Sequence, residues 1–221
     1  MSPAARALLA ELRARRSERG LASLRRFGIA TQHETLGVDT GTLRTLARPH
    51  RRDHALAEEL WSSGVMDAMV CATFIGDPRQ ITSAQMERWV RGADSWNLTD
   101  SLAFLFDRTE LAEKKALAWS RRKPEFIKRT GFSMMAGMAV HRKELPDEIF
   151  LGFLPVIRRE ATDERNFVKK AVNWALRQIG KRNPRLGRAA IAEARRILRI
   201  DTPAARWIAR DALRELGASS K

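Results

Sequence analysis

The sequence predicts an all-α fold: a helical-repeat solenoid of antiparallel helix pairs with a basic concave face. Three observations lead there. Almost every stretch with a period repeats its apolar residues at 3.6, and none alternates cleanly at two. The breaks between periodic stretches are about two to seven residues long, which makes sequential helices antiparallel neighbours. The resulting hairpins recur at roughly 35–45 residues, a rhythm of stacked repeats although internal identity is weak. In such an array one helix of each pair lines a concave face, and a formal net charge of +15 makes that face basic.

Taken in order, Ala5–Arg19 reads as a first helix with Leu8, Leu9 and Leu12 inward, and Leu21–Phe27 as a short second one. Gly28–Asp39 has the least pattern. Thr40 or Thr42 can cap the helix that follows to Ala47, where Pro49 ends it. Asp53–Trp61 comes next, and Gly64 separates it from the apolar run Val65–Ile75. Gly76–Asp77–Pro78 is a turn, and Thr82 or Ser83 caps Ala84–Gly92. Trp96–Phe106, Leu111–Arg121 and Glu125–Val140 follow, the last behind Pro124. Pro146–Arg159, Glu164–Lys181, Arg185–Leu198 and Pro203–Leu216 complete about a dozen helices, the HEAT-type rhythm. Nothing resembles a linker, so residues 1–221 are expected to form one domain, frayed over Gly217–Lys221.

Apolar residues at 44% and charged residues at 30% exclude a disordered chain. The charge and a pI near 11.2 favour nucleic acid as partner over an anionic membrane. Residues 165–221 hold 15 Lys and Arg against Glu193, Asp201, Asp211 and Glu215, so a net +11 sits in the last quarter. The lone Cys71 lies in an apolar run and reads as a small hydrophobe; without disulfides the chain fits a reducing compartment. No apolar signal region opens the sequence and no run approaches membrane-spanning length. A cytoplasmic monomer, associated with the nucleoid when bound to nucleic acid, is expected. His33, His50, His54 and His141 have no metal spacing. Walker A, GxGxxG and GxSxG motifs are absent, so no metal and no cofactor is expected.

Three stretches carry candidate chemistry. In Asn166–Pro184, Val168, Ala171, Val172, Ala175, Leu176 and Ile179 form an apolar stripe. Lys170, Arg177 and Lys181 share a flank, with Trp174 at its seam, an arrangement suited to a polyanion with flat bases. Spacing is equally compatible with Trp174 packing inward and the cations facing solvent. In Trp96–Asn97–Leu98–Thr99–Asp100, Trp96 and Asp100 share a helix face one turn apart, with Ala103 beside them. Leu98, Leu102, Leu105 and Phe106 supply the core without Trp96; alternatively, Asp100 is an N-cap. Along Lys123–Val140, Arg129 points away from the stripe of Ile127, Met134 and Met138, next to Ser133 and Ala136, and reads either as a ligand-reaching cation or as a surface arginine.

With these residues in hand, the chain resembles the AlkD-like DNA alkylation-repair glycosylases, which are HEAT-like repeat proteins. The resemblance runs from about Leu36 to Ile200 and includes LGVDTGTLRTLAR (36–48), EELWSSG (58–64), GDPRQIT (76–82) and RWVRGADSWNLTD (88–100). It continues through FIKRTGF (126–132) and, most specifically, NFVKKAVNWALRQIGKRNP (166–184). It implies excision of cationic N-alkylated purines such as 3-methyladenine and 7-methylguanine from double-stranded DNA. By the same resemblance, Asp100 is the catalytic carboxylate, Trp96 and Trp174 are the aromatic walls, and Arg129 lies near the lesion and its phosphates. Lys170 and Arg177 contact DNA, and Lys181 extends that basic flank. Two positions depart from the family pattern: Asn97 replaces the acid that often follows the first Trp, and Asp67–Ala68–Met69 replaces a Glu-x-Arg.

The implied roles make chemical sense. A purine alkylated at N3 or N7 is cationic, so its glycosidic bond is already weakened. The sugar becomes oxocarbenium-like as that bond opens, and a nearby carboxylate stabilises the charge or orients water. Indole faces favour a cationic base by roughly 0.5–2 kcal/mol per contact. No lysine nucleophile stands at the cluster, so hydrolysis without strand cleavage is expected. A non-catalytic DNA-binding repeat array and a protein-binding scaffold are the alternative classes.

Overall fold

Capping residues set most of the helix starts in the structure, a computed structural model that describes residues 1–218. Among those residues there are thirteen α-helices, one 3-10 turn at Arg48–His50 and no strand; the sole β-type pairing is an isolated parallel bridge between Glu34 and Val65. The chain packs as two compact units, divided between Leu105 and Phe106.

The first unit holds α1 (Pro3–Ala14), α2 (Glu18–Arg26), α3 (Thr40–Ala47), α4 (His54–Trp61), α5 (Met66–Ile75), α6 (Ser83–Gly92) and all but the last residue of α7 (Trp96–Phe106). The expected first helix ends at Ala14 rather than Arg19 and the second begins at Glu18, because Ser17 caps α2 by accepting from Gly20 N at 3.1 Å. The cap of α3 is Asp39, one residue before the expected threonine, and Thr42 donates to it through both its amide and its hydroxyl. Asp53 and Thr82 cap α4 and α6. α5 packs on α3 and α4, and α1 closes over α4 and α5. Trp61 and Trp89 stack in this core, 4.5 Å apart and within 7° of parallel.

The unpatterned stretch before α3 is fixed in place. Gly37 takes φ +73°, and its carbonyl lies where a side chain on Gly20 would begin: a Cβ there would meet that oxygen at 1.8 Å. Only two glycines let these backbones touch. From the other side the buried Asp67 accepts the amides of Leu36 and Val38, each at 2.8 Å.

The second unit holds α8 (Ala112–Trp119), α9 (Glu125–His141), α10 (Asp147–Glu160), α11 (Asn166–Gly180), α12 (Pro184–Ile197) and α13 (Pro203–Ala218). Its packing is that of a repeat. Sequential pairs α8–α9, α10–α11 and α12–α13 contact each other, and α9, α11 and α13 stack as one layer while α8, α10 and α12 stack as another. α9 is enclosed on almost every side, with Ile127 and all of Arg129–Ala139 buried. Gly131 permits this closeness, since a Cβ there would lie 2.8 Å from Ser120 N and 2.9 Å from Ala116 O on α8. α13 continues through Gly217 and Ala218; the rest of the expected frayed end, residues 219–221, lies outside the described residues. No helix among the described residues is long and apolar enough to cross a membrane.

Candidate functional site

In the first unit the chemistry gathers at the start of α7. The amide of Thr99 already bonds the carbonyl of Ser95 at 3.1 Å, so the helix is under way before Asp100 and this carboxylate is not an N-cap. Leu98, Leu102, Leu105 and Phe106 bury one side of the helix, leaving Trp96 and Asp100, one turn apart, both half-buried beside the small, buried Ala103. The Trp96 indole donates from Nε1 to the carbonyl of Phe27 at 3.1 Å, which fixes the ring's orientation from the end of α2. Phe27 itself is 61% exposed, with the Arg26 guanidinium 6.0 Å above its ring. Sequence reasoning missed Phe27 by reading it as the last residue of a helix. The signal was local: an aromatic between two arginines and Gly28, whose φ of +67° turns the chain away.

A cavity of about 270 Å³ lies beside this helix start, lined by Leu24, Ile29, Val70, Asp67, Trp96 and Asn97 among others. Its polar groups serve the fold. Burial pushes the Asp67 carboxyl above its ordinary range against the pull of the loop amides it accepts. Met69, where the family pattern has an arginine, is buried. This part of α5 is therefore a core and loop anchor. Cys71, three residues on in sequence from Ala68, is fully buried, and burial followed by the neighbouring Asp67 carboxylate pushes its thiol up to about 12.

In the second unit α9 and α11 carry the rest. Arg129 is only 6% exposed, and its NH1 donates to the carbonyl of Phe167 at 2.7 Å. It is not a surface arginine, because every residue of α9 from Arg129 to Ala139 is buried. Phe126 and Phe167 pair at the same place, ring centroids 5.7 Å apart. The start of α11 is clamped further by Asp163. Burial alone would raise the pKa of that carboxyl, but hydrogen bonds from Arg165 and Lys128 outweigh it and hold the group near 2.

Along α11 the expected apolar stripe is fully buried. Trp174 is half-buried and Lys170 exposed on the opposite face. The side-chain amide of Gln178, with its oxygen toward them, accepts from Trp174 Nε1 at 3.2 Å and Lys181 Nζ at 3.3 Å. Arg177 and Lys181 are not a simple solvated flank. Both bond Glu215 of α13, and Arg177 also lies 3.6 Å from Asp211, which accepts from Asn173 at 2.7 Å. These contacts recur every fourth residue along both helices and bind α13 to α11. Hydrogen bonds from Lys181 and Arg177 hold the Glu215 carboxyl below its ordinary range. Among the described residues no three His, Cys, Asp or Glu side chains are arranged to hold a metal.

An all-α repeat chain presenting half-buried indoles, a carboxylate one helical turn from one of them, and a surplus of cations belongs with proteins that handle nucleic acid. The sequence matches the DNA alkylation repair enzyme family over residues 8–216, and the chain is a member of that family. A solved structure from a family of proteins related to the HEAT-like repeat DNA glycosylases, with affinity for branched DNA structures, superimposes with a TM-score of 0.79. Its sequence is 22% identical over 96% of this chain and 95% of that one, a likeness that shows the HEAT-like repeat fold. No curated protein matches the sequence.

Proposed function

We propose that this protein is a monofunctional DNA glycosylase that hydrolyses the N-glycosidic bond of cationic N-alkylated purines, 3-methyladenine and 7-methylguanine being the type substrates. The observation that carries the reading is the pair on α7: Asp100 stands in mid-helix, one turn from an indole whose orientation is fixed. An alkylated purine brings its own positive charge, so the leaving base needs little protonation. The carboxylate of Asp100 stabilises the oxocarbenium-like sugar or orients the attacking water. Trp96, with Phe27 beside it, favours the cationic base over a neutral one. On α11, Trp174 offers a further aromatic face and Lys170 a phosphate contact that positions DNA without reading its sequence. Arg129, held by the Phe167 carbonyl, orders the start of α11 and lends its charge to that same helix.

The test is release of 7-methylguanine and 3-methyladenine from methylated duplex DNA. Wild type should release base without cutting the strand, and Asp100→Asn should lose at least ~10²-fold in rate while binding DNA equally well. Equal release by both proteins would remove Asp100 from the chemistry. A second reading, binding of branched DNA without excision, is favoured by Met69, which stands buried where the family pattern has an arginine, and by the likeness to the branched-DNA-binding relative. DNA binding with no release from either protein would select it.

A further inference from the structure

We infer that the outer face of α13 is a second DNA-binding surface, separate from the α11 face that carries Trp174 and Lys170. The inference rests on the DNA-binding part of the reading above, not on excision. It begins with a surplus. Residues 165–221 carry a net +11, yet Arg177 and Lys181, two of the cations expected to meet DNA, are bonded by Glu215. The positive charge that remains lies elsewhere.

α13 sorts cleanly. Ala204, Ala205, Ile208, Ala209 and Ala212 are fully buried, and its acids Asp211 and Glu215 turn to α11. Arg206, Arg210 and Arg214 recur every fourth residue with Trp207 behind the first, so at 100° per residue they fill a single stripe about 100° wide. Trp207 is 40% exposed, unlike Trp61, Trp89 and Trp119, and Lys169 Nζ sits 5.3 Å from its ring centroid. Arg206 and Arg214 bond Asp201 and Asp211. Asp201 is itself almost fully exposed, a pairing that competes weakly with a phosphate. Arg210 has no ion-pair partner among the described residues.

A row of guanidiniums one turn apart, ending at a flat ring under a cation, matches a phosphate backbone with a base or sugar face beside it. A membrane-seated helix would expose several large apolar groups on that face. Here, among the described residues of the helix, Trp207 is the one exposed large apolar group, Leu213 at the edge is half-buried, and Pro203 and Gly217 fill the gaps. The partner that fits is a second segment of DNA.

Binding stoichiometry decides it. With duplexes of about one helical turn (~10 base pairs) at low salt, the wild-type chain should take up two, and Arg210→Glu with Arg214→Glu should take up one. On a ~30-base-pair duplex the same variant should lower the salt slope by about two. Trp207→Ala, which leaves every charge in place, should weaken the second duplex alone by about tenfold. One duplex on both proteins, with equal affinity and slope, overturns the inference. So does Arg210-dependent capture of phosphatidylserine vesicles in place of the second duplex. If the α13 variants abolish all DNA binding while Lys170→Ala changes nothing, α13 is the sole surface, and both the second-surface inference and the α11 assignment fall.

Discussion

Asp67 shows how one side chain can settle whether a neighbourhood belongs to chemistry or to the fold. Both of its oxygens accept loop amides at 2.8 Å, and the group is buried. Asp67→Ala would leave those amides unpaired, at a cost of about 2–4 kcal/mol, read as a lower urea midpoint, with DNA affinity unchanged. An unchanged midpoint would mean that water satisfies the loop. The same scale shows what the sequence could reveal. Trp96 was separable from the core because Leu98, Leu102 and Leu105 already fill the inner face of its helix. Phe27 and Trp207 were not, since an aromatic inside a helical pattern reads as core until its neighbours are placed. Arg129 was misjudged in one alternative for the converse reason: small residues around it signalled close packing of α9, which Gly131 confirms, as well as room to move.

Among the helices, boundaries were legible wherever a capping side chain or proline marks them, and were shifted at Ser17, which lies inside the expected first helix, and at Asp39, which takes the cap ahead of Thr40. What one helix's spacing cannot show is what another brings to it. Lys170, Arg177 and Lys181 are equivalent by angle on α11, yet α13, about 35 residues downstream, covers two of them. Glu215 therefore does two things: it ties α13 down and it competes with phosphate for Arg177 and Lys181. Glu215→Gln should lower stability by less than about 1 kcal/mol and raise duplex affinity about two- to five-fold at low ionic strength, measured by fluorescence anisotropy. Unchanged affinity would confine both cations to a structural role.

For the molecule as a whole, the net +15 makes affinity for DNA a statement about salt. With about six phosphates neutralised, binding should weaken by ~10³-fold between 50 and 200 mM salt, and the slope should be the same for methylated and unmethylated duplexes. A shallow slope would shift the weight to apolar contacts at the indoles. In the second unit the repeat architecture was readable from helix rhythm because each pair contacts its neighbours in the same pattern; the division at Leu105 was not, because α7 runs through it without a break in period.

Cys71 has a practical consequence. Enclosed on every side and with its thiol pushed up to about 12, it is almost entirely protonated at neutral pH, where thiol-directed dyes need the thiolate. The native chain is therefore a silent background for labelling: a cysteine introduced at Lys170 or at Arg210 would carry the only fluorophore, and slow uptake of dye by the unaltered protein would time the opening of its own interior.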